Sequence, residues 1–356
     1  MRVVVVGATG YIGRSVVAAL LTDGQTPVLA VRNVELARRR FPECDVFRVD
    51  LARDHDPDLW RDALPDADAV VNCAGVLERD ADAVHVRGTG ALFQACVRFG
   101  VAKVVHVSAI SATGAAGTDY AESKLASEAA LKALDLEWTI LRPSLVYGAG
   151  AYGGTALMRG LAALPLVTPT PGDGRQTFSP IWLEDLSKVI LLALEDDRFA
   201  HTTLEPCGPE TVTFAEYLRR QRAWLGLPPA RTLPIPLPMI RMAGVIGSAL
   251  GLGPMSKTSV AQIEHGNAGD GAAFASAIGF QPLSMAEALA RNPASGQDKQ
   301  AARSYFLAWL VAPTVTLSVV SISLGAMEWG WGWTAFGAVG PALLSLATRA
   351  ALKDDR

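Results

Sequence analysis

Tyr120 and Lys124 are the two residues of this sequence whose types and spacing point most directly to chemistry. They are four positions apart, which places their side chains on one face of a helix. A phenol exchanges protons poorly at neutral pH because its ordinary pKa is about 10, and a neighbouring ammonium group lowers that pKa. The pair therefore predicts proton exchange with an alcohol or carbonyl oxygen.

A glycine-rich turn near the start of the chain has the residues needed to hold a dinucleotide. Gly7 allows a tight turn, Gly10 lets the backbone approach a pyrophosphate, and Gly13 lets the helix that follows pack closely on the strand before it. The N–H groups that open this helix attract the phosphates. The predicted contacts in the turn are Gly7, Thr9, Gly10, Tyr11, Ile12 and Gly13.

The end of the second predicted strand distinguishes between the two nicotinamide cofactors. An NAD site usually has Asp or Glu there to bind the ribose 2′-hydroxyl. This strand ends in Arg32 and Asn33, and a guanidinium group binds a 2′-phosphate through two parallel hydrogen bonds. We therefore expect Arg32 and Asn33 to favour NADP(H) over NAD(H), with Arg14 placed to assist.

A parallel sheet must position these residues. Short apolar runs alternate with helical patterns in the first half of the chain, as they do where helices cross over a parallel sheet buried on both faces. The predicted strands are Arg2–Val6, Pro27–Val31, Asp45–Val49, Ala69–Asn72, Val104–Val107 and Trp138–Leu141, with helices that include Arg14–Leu21 and Ala83–Phe99. The predicted fold class is α/β, with a Rossmann-type doubly wound sheet.

The pattern predicts three parts in the chain. Residues 1–150 form the Rossmann domain, and residues 151–295 form a smaller α/β lobe for substrate or partner, of which the segment 176–195 packs back on the sheet. Residues 303–350 form a helical hairpin. Its two arms, between Arg303 and Glu328 and between Glu328 and Arg349, are uncharged, and each as a helix is long enough to cross the roughly 30 Å core of a bilayer.

Charge and aromatic residues around the hairpin predict how it is oriented. Tryptophans lie at its turn, where an aromatic belt is expected, and basic residues flank its outer ends. We therefore expect the chain to be anchored in the inner (cytoplasmic) membrane with its catalytic domain in the cytoplasm. A buried helical pair or a dimer interface is the alternative interpretation.

Composition excludes several other classes. The formal net charge of −3 argues against nucleic acid as a partner, since a nucleic-acid binder needs a basic surface. The four cysteines are scattered, without a CxxC pair or a Cys/His cluster, so neither a metal site nor a disulfide framework is predicted.

The ordered motifs resemble those of the short-chain dehydrogenase/reductase superfamily, in its extended and atypical branches. Within it, they most resemble the group of the complex I 39 kDa subunit (NDUFA9-like), whose members often bind NADP(H), and some bacterial relatives carry a DoxX-like membrane tail. The resemblance rests on the glycine turn, Asp50-Leu51, the loop from Asn72 to Gly75, Val86–Thr89, the YxxxK pair Tyr120 and Lys124, the segment Arg142–Gly148, and Trp182–Leu186.

This resemblance implies further site residues. Lys124 would hold the nicotinamide ribose besides tuning Tyr120, and the cofactor would also contact Asp50, Leu51, Cys73, Ala74, Gly75 and Pro143. The family places a serine or threonine after the fifth strand to bind the substrate oxygen; here Ser108 is the candidate, with Ser111 as the alternative. His85 and Trp182 depart from the family, which commonly has Asn and His at these positions.

Two functions are compatible with this sequence. The first is a membrane-anchored, NADP(H)-dependent oxidoreductase that acts on a lipophilic carbonyl or alcohol. The second is a non-catalytic NADP(H)-binding accessory or assembly protein of a membrane complex. An isoflavone-reductase-like enzyme is a third option, and the intact Tyr120–Lys124 spacing argues against it because those enzymes rely on the lysine without the tyrosine.

Overall fold

The structure of the protein, a computed structural model, describes residues 1–113, 117–249 and 255–305. A parallel sheet in the order β3-β2-β1-β4-β5-β6-β11 lies at its centre. The strands of the described residues are β1 (Arg2–Val6), β2 (Thr26–Val31), β3 (Asp45–Arg48), β4 (Ala69–Asn72), β5 (Lys103–Val107), β6 (Glu137–Leu141), β7 (Val146–Tyr147), β8 (Val167–Pro171), β9 (Thr177–Phe178), β10 (Ile181–Trp182), β11 (Thr202–Leu204), β12 (Val212–Thr213) and β13 (Arg231–Ile235).

Helices connect these strands and follow them along the chain. Those of the described residues are α1 (Tyr11–Thr22), α2 (Val34–Arg40), α3 (Thr89–Arg98), α4 (Asp119–Lys132), α5 (Gly154–Ala162), α6 (Leu183–Glu195), α7 (Phe214–Trp224), α8 (Leu237–Ala249), α9 (Lys257–His265), α10 (Gly271–Ile278) and α11 (Met285–Arg291), with short 3₁₀ helices at Pro57–Asp62 and Asp197–Phe199. The predicted Rossmann-type α/β fold is confirmed.

The four valines of β1 show why this sheet is doubly wound. Val3 and Val5 pack into one core with α1 and α6, whereas Val4 and Val6 pack into a second core, with α3, on the opposite face. All four are at most 1% exposed. Successive side chains of a strand point to opposite faces, so an uninterrupted apolar run is stable only where both faces are covered.

The predicted helix Ala83–Phe99 differs from the observed one in its first turn. Residues Ala83–Gly88 form a π-helix, and α3 begins at Thr89, whose hydroxyl donates to the carbonyl of Val84 over 2.8 Å. A Cβ on Gly88 would lie 2.1 Å from the carbonyl oxygen of Leu51. The wider turn thus brings the helix against the loop after β3, and such bulges often occur at functional sites.

Contacts divide the chain into two compact units. The first comprises residues 1–155, 171–214 and 234–292, and it contains the central sheet. Within it, α6 packs beside α1, where Ser187 donates to the hydroxyl of Ser15. The predicted boundaries at 150 and 295 stay predictions.

The second unit comprises, among the described residues, 156–170, 215–233 and 293–305. Arg222 donates from its buried guanidinium to the carbonyls of Ala162 and Leu164, and the guanidinium of Arg159 lies 4.5 Å from the ring centre of Trp224. The predicted membrane hairpin falls almost entirely outside the described residues, which stop at 305. No helix within the described ranges has the length and apolar character needed to cross a bilayer.

Candidate functional site

The glycine turn after β1 has the geometry of a phosphate cradle. Gly7 has φ of +76°, a conformation that side chains disfavour, and its N–H donates to the carbonyl of Ala30 at the end of β2. A Cβ on Gly13 would lie 2.3 Å from the carbonyl oxygen of Gly7. Gly10 is the N-cap residue of α1 and supplies no side-chain cap, and no acidic residue occupies the first turn. The helix start is therefore open to an anion.

The other three residues of this turn have distinct surroundings. Ile12 packs against the core below the turn, and Thr9 is half-buried. The hydroxyl of Tyr11 donates to the carbonyl of Gly150 over 2.9 Å, and its ring stacks on that of Tyr152 at 6.5 Å between centres. The segment after β7 therefore lies directly against the glycine turn.

The end of β2 presents cationic groups beside the turn. Arg32 is exposed, and Asn33 caps α2 by accepting from the N–H of Leu36 over 2.9 Å. Arg40, which the sequence analysis missed, donates from Nη1 to the carbonyl of Thr9 over 3.2 Å. The guanidinium of Arg14 lies over the ring of Tyr11, 5.3 Å from its centre. Arg40 could have been suspected from the three consecutive arginines that end α2.

Asp50 and Leu51 form the turn after β3. The carboxylate of Asp50 accepts from the N–H of Ala52 over 3.2 Å, which orders the turn. Leu51 is buried, and its carbonyl lies against the π-helix at Gly88. The structure thus places this pair next to the start of α3, at the same sheet edge as the glycine turn.

Lys124 lies beneath the loop that follows β4. Its ammonium group donates to the carbonyls of Ala74 over 3.3 Å and Val107 over 2.9 Å, and burial lowers its pKa to about 8. A Cβ on Gly75 would lie 3.5 Å from the Lys124 nitrogen. Burial raises the pKa of the Cys73 thiol to about 12 against the opposing effect of the Lys124 charge, so Cys73 stays a thiol. The structure therefore brings Cys73, Ala74, Gly75 and Lys124 together.

Tyr120 lies one turn before Lys124 on α4, whose N-cap Thr118 accepts from the N–H of Ala121 over 3.2 Å. No hydrogen bond joins the Tyr120 hydroxyl to another of the described residues. Burial raises its pKa to about 12. A phenol in this state keeps its proton at neutral pH and has the capacity to donate it to an oxygen of a bound molecule.

The two serines after β5 have different surroundings. Ser108 is buried, and its hydroxyl donates to Glu128 Oε1 over 2.5 Å. The same carboxylate accepts two hydrogen bonds from Arg142. Ser111 is also buried, but its hydroxyl has no hydrogen-bond partner among the described residues. Of the two hydroxyls, only that of Ser111 therefore keeps its hydrogen-bonding capacity unused among the described residues.

Pro143 and Trp182 complete the surroundings of these loops. Pro143 is buried after β6, and its carbonyl accepts from the N–H of Ile110 over 3.1 Å. Trp182 is buried with its ring edge-on to that of Tyr147, at 5.2 Å between centres, and its indole N–H has no hydrogen-bond partner among the described residues. Among those residues, no group of three or more His, Cys, Asp or Glu side chains could hold a metal ion.

Comparison with known proteins agrees with this geometry. A family model described as NAD(P)H-binding matches residues 7–161. The chain is 25% identical over 274 residues to the mitochondrial NADH-ubiquinone oxidoreductase 40 kDa subunit of Neurospora crassa, covering 73% of this chain and 70% of that protein. It is 27% identical over 252 residues to a ceramide reductase of Caulobacter vibrioides, covering 69% and 77%.

Solved structures share the fold at lower identity. The UDP-glucose 4-epimerase of Thermus thermophilus, solved with NAD, is 21% identical with a TM-score of 0.63, and the match covers 86% of this chain and all of that one. MoeE5 in complex with UDP-glucuronic acid and NAD is 21% identical with a TM-score of 0.62, covering 82% and 97%. These likenesses support the architecture of the dinucleotide-binding half.

Proposed function

Because this chain contains an NAD(P)-binding domain of the short-chain dehydrogenase/reductase type, we propose that it is an NADP(H)-dependent oxidoreductase for a lipophilic carbonyl or alcohol. The observation that carries the proposal is the pair on α4. Lys124 is buried beneath the loop after β4, and the hydroxyl of Tyr120 has no protein partner within the described residues. The Tyr120 hydroxyl therefore keeps its proton available for a hydrogen bond to a bound molecule.

Each protein group has a defined part in this chemistry. The bound cofactor supplies a hydride from its nicotinamide ring. Tyr120 donates its proton to the substrate oxygen as that oxygen gains negative charge. Lys124, one turn after Tyr120 on the same helix, is fixed by the carbonyls of Ala74 and Val107. The Ser111 hydroxyl, which lacks a partner among the described residues, donates a second hydrogen bond to the same oxygen.

The preference for NADP(H) rests on Arg32 and Arg40. Arg32 stands at the end of β2, where an acidic residue would favour NAD(H). Arg40 reaches the carbonyl of Thr9 and adds a second guanidinium close to the glycine turn. Two guanidinium groups match the charge and hydrogen-bonding geometry of a 2′-phosphate.

Replacing Arg32 by glutamate is expected to weaken NADPH binding by about 10- to 100-fold, because a charge-assisted hydrogen-bond pair is lost and repulsion is gained. NADH binding is expected to stay level or improve, since Glu accepts from a 2′-hydroxyl. Fluorescence titration with both nucleotides measures the ratio of the NADPH and NADH affinities. Arg39→Glu on α2 is the matched control, since Arg39 is exposed and pairs with Glu35. An unchanged NADPH-to-NADH ratio in Arg32→Glu would refute the assignment.

The exposed apolar side chains of one helix, α8, support the proposal that the substrate is lipophilic. Met239, Met242, Val245 and Ile246 of α8 are each half or more exposed. The helix pair α8–α9 is joined to the site, because Glu78 in the loop after β4 accepts from Ser248 and from the N–H of Thr258. In addition, Gln262 donates to the N-cap Thr118 of α4.

Anchoring in the inner membrane, with the site in the cytoplasm, is part of the same proposal. Its support is the uncharged sequence of both arms of the hairpin at 303–350 and the basic residues that flank them. A relative named ceramide reductase acts on a substrate class that such an anchor would suit.

The proposal is tested by NADPH oxidation in detergent-solubilised full-length protein, with methyl ketones of increasing chain length in mixed micelles. We expect kcat/KM to rise by about fourfold for each methylene that becomes buried. Ser111→Ala is expected to lower kcat while Ser108→Ala leaves it nearly unchanged, because the Ser108 hydroxyl is occupied by Glu128. A rate of NADPH oxidation that does not depend on the chain length of the ketone would refute the proposal of a lipophilic substrate.

The second candidate function is a non-catalytic NADP(H)-binding accessory protein of a membrane complex. It is favoured by the likeness to the complex I subunit of Neurospora crassa. The same assay separates the two functions: binding of NADPH without oxidation by any ketone of the series would favour the accessory protein. Absence of binding to either nucleotide would refute both.

A further inference from the structure

Two serines on α4 bind the backbone of the two residues that carry the proposed chemistry. Ser123 donates to the carbonyl of Tyr120 over 2.9 Å, and Ser127 donates to the carbonyl of Lys124 over 2.7 Å. Each serine follows its partner by three positions, so the same contact is repeated one turn further along the helix. The single proton of each hydroxyl is used in this contact.

A buried histidine binds each of these serines. Nδ1 of His85 lies 2.8 Å from the Ser123 hydroxyl, and Nε2 of His106 lies 3.0 Å from the Ser127 hydroxyl. Because each hydroxyl proton already points to a carbonyl, the histidine nitrogen must be the donor in both pairs. Both histidines are 1% exposed.

The second ring nitrogen of each histidine is an acceptor. His85 Nε2 accepts from the N–H of Val76 over 3.0 Å, in the loop after β4. His106 Nδ1 lies 3.3 Å from the side-chain nitrogen Nδ2 of Asn72. The side-chain oxygen Oδ1 of Asn72 accepts from the N–H of Ala74. A ring that donates through one nitrogen and accepts through the other is neutral, so the contacts fix both tautomers.

The neutral state also follows from the charges nearby. Burial and the Lys124 cation lower the pKa of His85 to about 2. Burial first, and then Lys124 and His85, hold the pKa of His106 far below its ordinary value. A proton added to His85 would remove its acceptor for Val76 and place a second cation near Lys124. The ring of His85 also meets that of Tyr120 edge-on, at 5.6 Å between centres.

We infer that His85 is a positioning residue that, as a neutral Nδ1–H imidazole, links the Tyr120 turn of α4 to the loop after β4. His106 makes the corresponding link for the Lys124 turn, through Ser127 and Asn72. The helix that carries the proton donor is thereby held in register with the loop above Lys124. This inference rests on the proposed function, since it assigns to His85 the placement of a phenol that acts on substrate.

The link predicts a kinetic effect that acts through Tyr120. His85→Leu removes both hydrogen bonds and is expected to lower kcat by about 10- to 100-fold, the usual result when a reacting group moves by a fraction of an ångström to one ångström. NADPH affinity is expected to fall by a smaller factor than kcat, because His85 has no place in the phosphate cradle and contacts the loop after β4 through Val76. His85→Gln keeps a donor and an acceptor and is expected to recover most of the rate. His265→Leu is the control, since His265 is exposed at the end of α9.

A double-mutant cycle distinguishes this role from a general structural one. In the Tyr120→Phe background, His85→Leu is expected to cause almost no further loss of rate, because the group that His85 positions is already absent. A fall in kcat by the same factor for His85→Leu in the wild-type and the Tyr120→Phe backgrounds would overturn the inference. So would recovery by His85→Gln of the melting temperature without the rate.

The tautomer is tested without turnover. In protein with ¹⁵N-labelled histidine, the ring nitrogens of His85, assigned by comparison with His85→Gln, are expected to report a neutral Nδ1–H imidazole from pH 5 to 8. Hydrogen exchange at the amide of Val76 is expected to accelerate in His85→Leu and not in His265→Leu. An imidazolium near pH 6, or unchanged exchange at Val76, would overturn the inference. Absence of turnover in the wild type would instead refute the proposed function and leave these two readouts intact.

Discussion

Replacing Tyr120 by phenylalanine is expected to lower kcat for ketone reduction by about 10²- to 10⁴-fold, the range that general acid catalysis by one positioned group supplies. NADPH affinity is expected to stay within about threefold of the wild type. The substitution removes one hydroxyl that has no hydrogen-bond partner in the described protein, so the fold loses little. NADPH oxidation with the most active ketone measures kcat, and fluorescence titration measures the affinity.

The pH dependence of this reaction follows from the two pKa values on α4. Burial raises the pKa of Tyr120 to about 12, so the phenol stays protonated and remains a competent acid across the physiological range. Burial lowers the pKa of Lys124 to about 8, so its positive charge is present below that pH and is lost as the pH rises through it. For reduction, kcat/KM is therefore expected to be level below pH 8 and to decline above it, since kcat/KM reports on the free enzyme.

Lys124→Met is the control that separates proton donation from cofactor placement. It removes the ammonium group that binds Ala74 and Val107, so NADPH affinity and kcat are both expected to fall. A Tyr120→Phe protein that retains more than about a third of the wild-type kcat would show that Tyr120 is not the acid. Loss of NADPH binding in Tyr120→Phe would show that the residue acts on the cofactor instead.

The sheet and the glycine turn could be predicted closely because their signals are local. The bounds of β1 and β4 agree to the residue with the predicted Arg2–Val6 and Ala69–Asn72, since each contains a run of buried valines and lies next to a polar or glycine residue. The tight turn at Gly7 and the close approach at Gly13 follow from the absence of a side chain. Both features depend on residues that are neighbours in the chain.

The site contacts that sequence reasoning missed connect distant parts of the chain. Arg40 reaches Thr9 across 31 positions; the three arginines that end α2 indicate positive charge there but do not report this pairing. The choice between Ser108 and Ser111 depends on which hydroxyl meets the Glu128 carboxylate, and Glu128 had no recognised role. His85 was noted only as a departure from Asn, because its two hydrogen bonds involve Val76 and Ser123, which lie on different elements.

Replacing Glu128 by leucine is expected to destabilise the protein by about 3–5 kcal/mol, the usual cost of leaving one member of a buried ion pair without its partner. Glu128 is 1% exposed, and its two carboxylate oxygens accept from Nε of Arg142 over 2.9 Å and from Nη2 over 2.6 Å. The pair joins α4 to the segment after β6. Its loss would therefore loosen the helix that carries Tyr120 and Lys124.

Thermal unfolding of the detergent-solubilised protein measures this effect, with an expected fall in Tm of about 10 °C at roughly 2–4 °C for each kcal/mol. Ser108→Ala removes one hydrogen bond to the same carboxylate and is expected to cost only about 1 kcal/mol. The double variant Glu128→Leu with Arg142→Met is expected to be more stable than Glu128→Leu alone, because it leaves no unpaired cation in the interior. If the single and double variants melted together, the cost would come from lost packing around position 128, and the ion pair would not be what fixes α4 to the sheet.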